Sequence, residues 1–156
     1  MGKILSQKDI SKLKTVKNIV LVGGCFDILH KGHIYFLHEV KKKGNVVVLL
    51  ESDESVRKMK GKNRPINNQK DRSLILSCLE MVDYVINLNG VLKHSDYDRI
   101  IKAINPTFIG TVEGDRKIEH KERQMEKFGP KLLTVKRVNN ISTTKLLEIV
   151  RTKYES

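Results

Sequence analysis

Five short apolar runs are spaced along the chain: Asn18–Gly23, Val46–Leu50, Asp83–Asn87, Thr107–Gly110 and Lys131–Val135. Each has the length and β-branched content of a strand. Between them, apolar residues return at helical spacing. Ile34, Leu37 and Val40 mark one helix, and Leu74, Ile75, Cys78 and Leu79 a second. Tyr97, Ile100, Ile101 and Ile104 mark a third, and Leu146, Leu147 and Val150 the last. Strands apolar on both faces and separated by helices predict a parallel sheet covered on both sides. The expected fold class is therefore α/β, a doubly wound five-stranded parallel sheet in the order 3-2-1-4-5. Residues 6–15 predict an extra N-terminal helix, because Ser6 followed three residues on by Asp9 has the spacing of a capping box. With no internal repeat, low-complexity tract or linker, one domain is expected over residues 1–156. Its core is expected over 18–150, with 1–17 as the N-terminal addition.

Composition narrows the function classes. With 39% apolar and 31% charged residues the chain is expected to fold as a globule. No apolar run approaches the roughly 18–20 residues that cross a bilayer. The opening MGKILSQKDISKLKTVKN is too polar for a signal peptide, so the expected location is cytoplasmic with no membrane partner. Cys25 and Cys78 lie in dissimilar surroundings, with no C-x-x-C and no Cys/His cluster. That pattern argues against a disulfide framework or a protein-held metal. Cys78, inside an apolar stretch, reads as a core thiol. The net charge of +12 suits nucleic acid, anionic lipid or phosphorylated small molecules alike, so placement must decide. Lys41-Lys42-Lys43 reads as a solvated helix end. Only 5% of residues are aromatic and none lies in the most basic stretch, which argues against nucleic acid as a partner.

In a doubly wound sheet, ligands bind beyond the carboxyl ends of the strands. The segments to weigh therefore follow Val22 and Leu50, surround Gly110–Asp115, and precede the last helix. After the first strand comes Gly23-Gly24-Cys25-Phe26-Asp27-Ile28-Leu29-His30-Lys31-Gly32-His33. It matches neither the three-glycine dinucleotide fingerprint nor a G-K-[ST] phosphate loop. Two histidines flank a glycine at a helix start instead. Gly32 lets a phosphate approach the backbone, and the helix terminus offers oriented N–H donors. His30 and His33 can donate to phosphate oxygens as charge builds. A packed histidine beside a capping one is the plain alternative, and it becomes less economical when both flank a glycine at the switch point.

Between Arg57 and Arg72 lie seven basic residues and one acid, Asp71. Gly61 and Pro65 break helical continuity, which predicts a mobile cationic loop leading into a helix near Asn67. Such a loop could neutralise and position a triphosphate, although it could also be merely solvated or grip RNA. Near the C-terminus, Ser142 or Thr143 suits a helix N-cap whose hydroxyls and free N–H groups can hold a phosphate.

The stretch GCFDILHKGH resembles the signature of the cytidylyltransferase-like, or H-x-G-H, nucleotidyltransferases, whose fold is Rossmann-like. The resemblance spans about residues 18–150. It implies that His30 and His33 bind nucleotide phosphates and stabilise the transition state without a covalent intermediate. Gly24, Cys25, Phe26 and Gly32 would line the nucleotide site, with Cys25 a packing residue and not a nucleophile. Asp27 would steady the turn or touch substrate. The stretch KGKNRPINNQKDR, followed by LEMVDYV, is similar to the heptose-1-phosphate adenylyltransferase branch. That similarity makes Lys60 and Arg72 catalytic candidates and Arg64 a substrate-binding one.

The I-S-T-T-K segment resembles the family's second signature, which assigns Ser142, Thr143 and Thr144 to the nucleotide phosphates. Arg137 matches the glycerol-3-phosphate cytidylyltransferases. Gly110–Arg116 (GTVEGDR) departs from both branches, and Gly114-Asp115 is its nearest counterpart to their Gly/Asp segment, lacking the expected lysine. The implied reaction transfers a nucleoside monophosphate from an NTP to a phosphorylated small molecule, releasing pyrophosphate. ATP with a sugar (heptose) 1-phosphate is favoured, with CTP plus glycerol 3-phosphate and FMN adenylylation as alternatives. Mg²⁺ would arrive on the nucleotide phosphates, and a homodimer is implied. A non-catalytic nucleotide- or RNA-binding module is the reading from another class.

Overall fold

The computed structural model describes residues 1–138 and 142–154. The chain runs through β1 (Lys3–Ser6), a 3-10 helix (Gln7–Leu13), β2 (Ile19–Gly24), α1 (Lys31–Lys41), β3 (Asn45–Leu50), α2 (Asp53–Lys60) and α3 (Gln69–Ser77). It continues through β4 (Tyr84–Asn87), α4 (His94–Ile104), β5 (Phe108–Val112), α5 (Ile118–Phe128), β6 (Lys131–Val135) and α6 (Thr143–Tyr154). All strands are parallel, in the order β1-β4-β3-β2-β5-β6. The five expected strands thus occur in the expected order. β1 is the addition, pairing Ile4 with Val85 on the β4 edge.

The central strands divide their apolar residues between two cores, as a period of two requires. Leu21, Val47, Leu49 and Ile86 pack with Ile100, Ile101 and Ile104 of α4 and with Ile10 and Leu13. Val20, Val22, Val46, Val48 and Leu50 pack on the opposite face with Phe36, Leu37 and Val40 of α1 and Leu76 of α3. Every side chain of Val46–Val48 is fully buried, which is why this stretch reads as an unbroken apolar run.

Four expectations change. The N-terminal helix expected over residues 6–15 is present but shorter and of the 3-10 kind: the strand ends at Ser6 and the helix spans Gln7–Leu13. The capping arrangement is present, with Ser6 N donating to Asp9 Oδ2 at 3.1 Å. In α3 the inward face is Arg72, Ser73, Leu76 and Ser77, whereas Leu74 and Ile75 are exposed. Cys78 is exposed as well, so it is not a core thiol. Leu76 packs in the core under this helix and Arg72 is sealed on the same face, which leaves Leu74 and Ile75 outside. Finally, the basic stretch begins inside a helix, since Arg57–Lys60 form the last turn of α2. α2 and α5 escape the apolar pattern because they are charge-rich: α5 buries only Gln124. Among the described residues no helix is long and apolar enough to cross a membrane.

Candidate active site

The turn after β2 is shaped by close contacts. A Cβ on Gly24 would meet the Phe26 ring at 2.9 Å, so glycine lets that ring fold back over the strand end. Phe26 itself takes φ 44° and is buried. His30 then caps α1: its Nδ1 accepts from Gly32 N at 3.1 Å. With Nδ1 used as an acceptor, the neutral ring carries its proton on Nε2. The His33 ring stacks on His30 at 3.9 Å between centroids and 26° between planes, and lies 5.2 Å from the Phe26 ring. Its Nδ1 is buried and has no partner among the described residues. Burial, and then the neighbouring His30, push the His33 pKa down to about 4, and burial lowers that of His30. Both rings are therefore neutral at pH 7, each able to present an N–H to an incoming oxyanion.

Asp27, 2% exposed, faces away from solvent and grips the segment leading into α3. It accepts from Ile66 N and Asn67 N at 2.9 Å and from Arg64 Nε at 2.6 Å. Burial opposes its charge, yet those backbone donors and the Arg64 guanidinium together hold its carboxyl below the usual range. The basic connection is thus pinned, not loose as expected, and Asp27 steadies it. Arg64 reaches the site as Asp27's partner.

Arg72 is the clearest revision. Its guanidinium is fully buried. It donates to Asn67 O (2.9 Å), Cys25 O (2.6 Å), Glu51 O (2.9 Å) and Asp53 Oδ1 (2.6 Å). Four of its five N–H groups are committed. Arg72 ties the β2 turn to the end of β3 from behind the site, so contact with a substrate phosphate is not what this arrangement offers.

On the other side of α1, Asp115 accepts from Thr111 Oγ1 at 2.8 Å and Lys117 N at 2.9 Å, and pairs with Lys121 Nζ at 2.8 Å. Burial raises its pKa, but Lys121, the Lys117 N–H and Thr111 outweigh it and bring it to about 2. Lys121 also reaches Gly110 O and Thr111 Oγ1 at 3.1 Å, crossing from α5 to this turn. Arg137 donates to Glu113 O and Gly114 O at 3.0 Å and stays exposed, bracing this turn. Ser142 is the N-cap, its Oγ accepting from Lys145 N at 3.1 Å. Thr143 Oγ1 ties α6 to the β2 turn through Ile28 O at 3.0 Å. Ile141 of the I-S-T-T-K segment lies outside the described residues.

These elements enclose a cleft of about 920 Å³ at the carboxyl edge of the sheet. It brings together Gly24, Cys25, Phe26, Asp27, His30, His33, Lys60, Arg64, Asp115 and Ser142–Thr144. Gly32, Arg72 and Arg137 are not on its wall. Cys25 sits there with its thiol pKa raised by burial and by Glu51, which suits packing and not nucleophilic attack. The cleft also gathers side chains that sequence reasoning did not single out: Glu51, Tyr97, His94, Lys117, His120 and Gln124. Position alone pointed toward Glu51, since it directly follows β3. His94 and His120 open α4 and α5 and meet edge to face at 4.3 Å. The two helices are clamped by Asp98, which accepts from Arg123 and Lys127. No three His, Cys, Asp or Glu side chains among the described residues group to hold a metal ion.

A parallel sheet with paired histidines at the start of the first helix, facing a hydroxyl-capped last helix, defines the class: a nucleotidyltransferase fold and site. Residues 21–149 match the family model described as cytidylyltransferase-like, and the chain belongs to that family. Bifunctional protein HldE from Aliarcobacter butzleri is 40% identical over 136 residues, which is 86% of this chain and 27% of that protein. HldE from Wolinella succinogenes is 42% identical over 121 residues, 72% of this chain and 25% of that protein. The chain thus spans about a quarter of the length of these relatives. Among solved structures, the lipopolysaccharide core biosynthesis protein from Thermoplasma volcanium superposes with a TM-score of 0.62 at 28% identity, covering 79% of this chain and 98% of that one. Pantoate-beta-alanine ligase from Francisella tularensis, at 15% identity and TM-score 0.68, shares the fold.

Proposed function

We propose that this chain transfers AMP from ATP to a sugar 1-phosphate, giving an ADP-sugar and pyrophosphate. The observation that carries the reading is the neutral, stacked His30–His33 pair at the N-terminus of α1, sharing one cleft with Lys60 and the Ser142–Thr144 turn. An acceptor phosphate oxygen attacks the α-phosphorus, the new P–O bond forms, and the bond to the β-phosphate's bridging oxygen breaks. The attacking oxygen is already ionised at pH 7, so no general base is needed. Catalysis is positioning and charge stabilisation: the histidine N–H groups and the first turn of α6 meet the growing charge, and Lys60 balances the leaving pyrophosphate. Arg72 and Asp27 hold these groups in place from behind. Mg²⁺ fits as a passenger on the triphosphate, where it would shield phosphate charge, because Asp27, Asp53 and Asp115 are each engaged by protein donors.

Support for adenylyl transfer to a sugar phosphate comes from the HldE relatives, from the lipopolysaccharide core biosynthesis protein, and from the Lys60–Arg72 segment. The test is a pyrophosphate-release screen of ATP and CTP against heptose 1-phosphate, glycerol 3-phosphate and FMN. Release with ATP and heptose 1-phosphate is expected. Release only with CTP and glycerol 3-phosphate would transfer the assignment to the cytidylyl reaction.

A further inference from the structure

Glu51 is a buried carboxylate, 6% exposed, in a cleft with more cationic than acidic side chains on its wall. Its backbone is locked: Glu51 N donates to Gly24 O at 3.1 Å, and Arg72 donates to Glu51 O at 2.9 Å. Its side chain is equally fixed, with Tyr97 OH donating to Oε1 at 2.6 Å and Ser55 Oγ donating to Oε2 at 2.7 Å. Both partners are neutral hydroxyls, and the salt bridges among the described residues include none to this carboxylate. Burying an unpaired carboxylate is costly, so a purely structural position favours a neutral or cation-paired residue there. A carboxylate offers about four lone-pair sites, and two are used. Two remain, on a wall of the cleft.

A phosphate would be repelled by this group, and a ligand ammonium would share the cleft with Lys60, Lys93 and Lys117. Neutral hydroxyls suit both the carboxylate and the lysines that share its cleft. They could come from an acceptor sugar or from the nucleotide's ribose. Placement favours the acceptor. Glu51 follows β3, on one side of the histidine turn, whereas Asp115 and Ser142–Thr144 gather beyond β5 and β6 on the other. We propose that Glu51, oriented by Tyr97 and Ser55, is the specificity residue that accepts hydrogen bonds from neighbouring hydroxyls of the acceptor. This rests on the adenylyltransferase reading above and names the group that would choose its second substrate.

The test compares the intact chain with E51A, E51Q and Y97F. KM values are taken for heptose 1-phosphate and for ATP, and affinity for α,β-methylene-ATP is read by calorimetry. E51Q preserves shape and keeps hydrogen-bonding capacity toward Tyr97 and Ser55, so it separates loss of the charged acceptor from loss of fold. E51A should raise the KM for heptose 1-phosphate by about 10- to 100-fold, the loss expected when hydrogen bonds to a charged group are removed. E51Q and Y97F should fall between, with ATP KM and analogue affinity unchanged in all three. A heptose 1-phosphate analogue lacking one ring hydroxyl should cost the wild type affinity but cost E51A little more. An unchanged acceptor KM in E51A alongside normal wild-type turnover overturns the Glu51 assignment alone. A raised ATP KM with a normal acceptor KM gives the hydroxyls to ribose and also overturns it. Preference of the wild type for ethanolamine phosphate would make the ligand a cation and overturn it too. If the wild type neither turns over nor binds heptose 1-phosphate, the substrate reading and the Glu51 assignment fall together.

Discussion

Acidification should destabilise this fold through one ring. His33 is neutral when folded because its imidazole is buried against His30 and Phe26, with a pKa of about 4 in place of 6.5. Because the folded pKa lies below the unfolded one, the unfolded chain binds the proton first. Stability from this ring is therefore complete above pH 6.5 and is lost as pH falls toward 4. Each pKa unit is worth about 1.4 kcal/mol, so moving from pH 7 to pH 5 removes up to about 2 kcal/mol, and reaching pH 4 removes up to about 3. Water reaching the cleft makes these upper bounds. Urea unfolding at pH 7 and pH 5 should be measured for the wild type and for His33→Gln, whose side chain does not titrate. His30 and His120, also lowered by burial, titrate in both proteins, so the difference between their pH slopes reports His33 together with its coupling to His30. The wild type should lose about 1–2 kcal/mol more than the variant over that interval. Parallel losses in the two proteins would refute the reasoning.

The same neutral pair should take up protons when a triphosphate arrives, because oxyanions favour the imidazolium form. Calorimetric titration with α,β-methylene-ATP at pH 7, in two buffers of different ionisation enthalpy, should show net proton uptake; zero uptake argues that the phosphates lie elsewhere. His33→Ala should reduce pyrophosphate release by about 10²- to 10³-fold, the scale of losing one oxyanion donor, with the fold intact by circular dichroism. Near-normal turnover would remove His33 from the chemistry. Arg72→Ala should destabilise by about 3–5 kcal/mol in urea unfolding, since it strands Asp53 and the Cys25 and Glu51 carbonyls. A variant of wild-type stability that has lost only activity would restore Arg72 to the substrate.

Much of the sheet was legible because its strands are buried on both faces and therefore run apolar without interruption, as in Val46–Leu50. β1 was not legible, since three of its four residues are exposed and Leu5 is its one buried side chain. The histidine turn could be read because its residues lie side by side in the chain and the chemistry is local. Charge was where reading failed. Lys60, Arg64, Arg72 and Lys121 are equivalent letters in a basic sequence, yet the fold sends them to different tasks. Lys60 faces the cleft from the end of α2, Arg64 is bound to Asp27, Arg72 is sealed among carbonyls, and Lys121 crosses from α5 to Asp115. Burial and partner, not residue type, separate a cation that can meet substrate from one that holds the wall in place. The acids divide in the same way. Asp27 and Asp115 are consumed by protein donors, and Glu51, drawn from the polar stretch Glu51-Ser52-Asp53-Glu54-Ser55, keeps lone pairs for a ligand. Reaction class therefore follows from a contiguous motif, whereas the cleft wall is completed by side chains brought together across β3, α4 and α5, whose proximity only the folded chain creates.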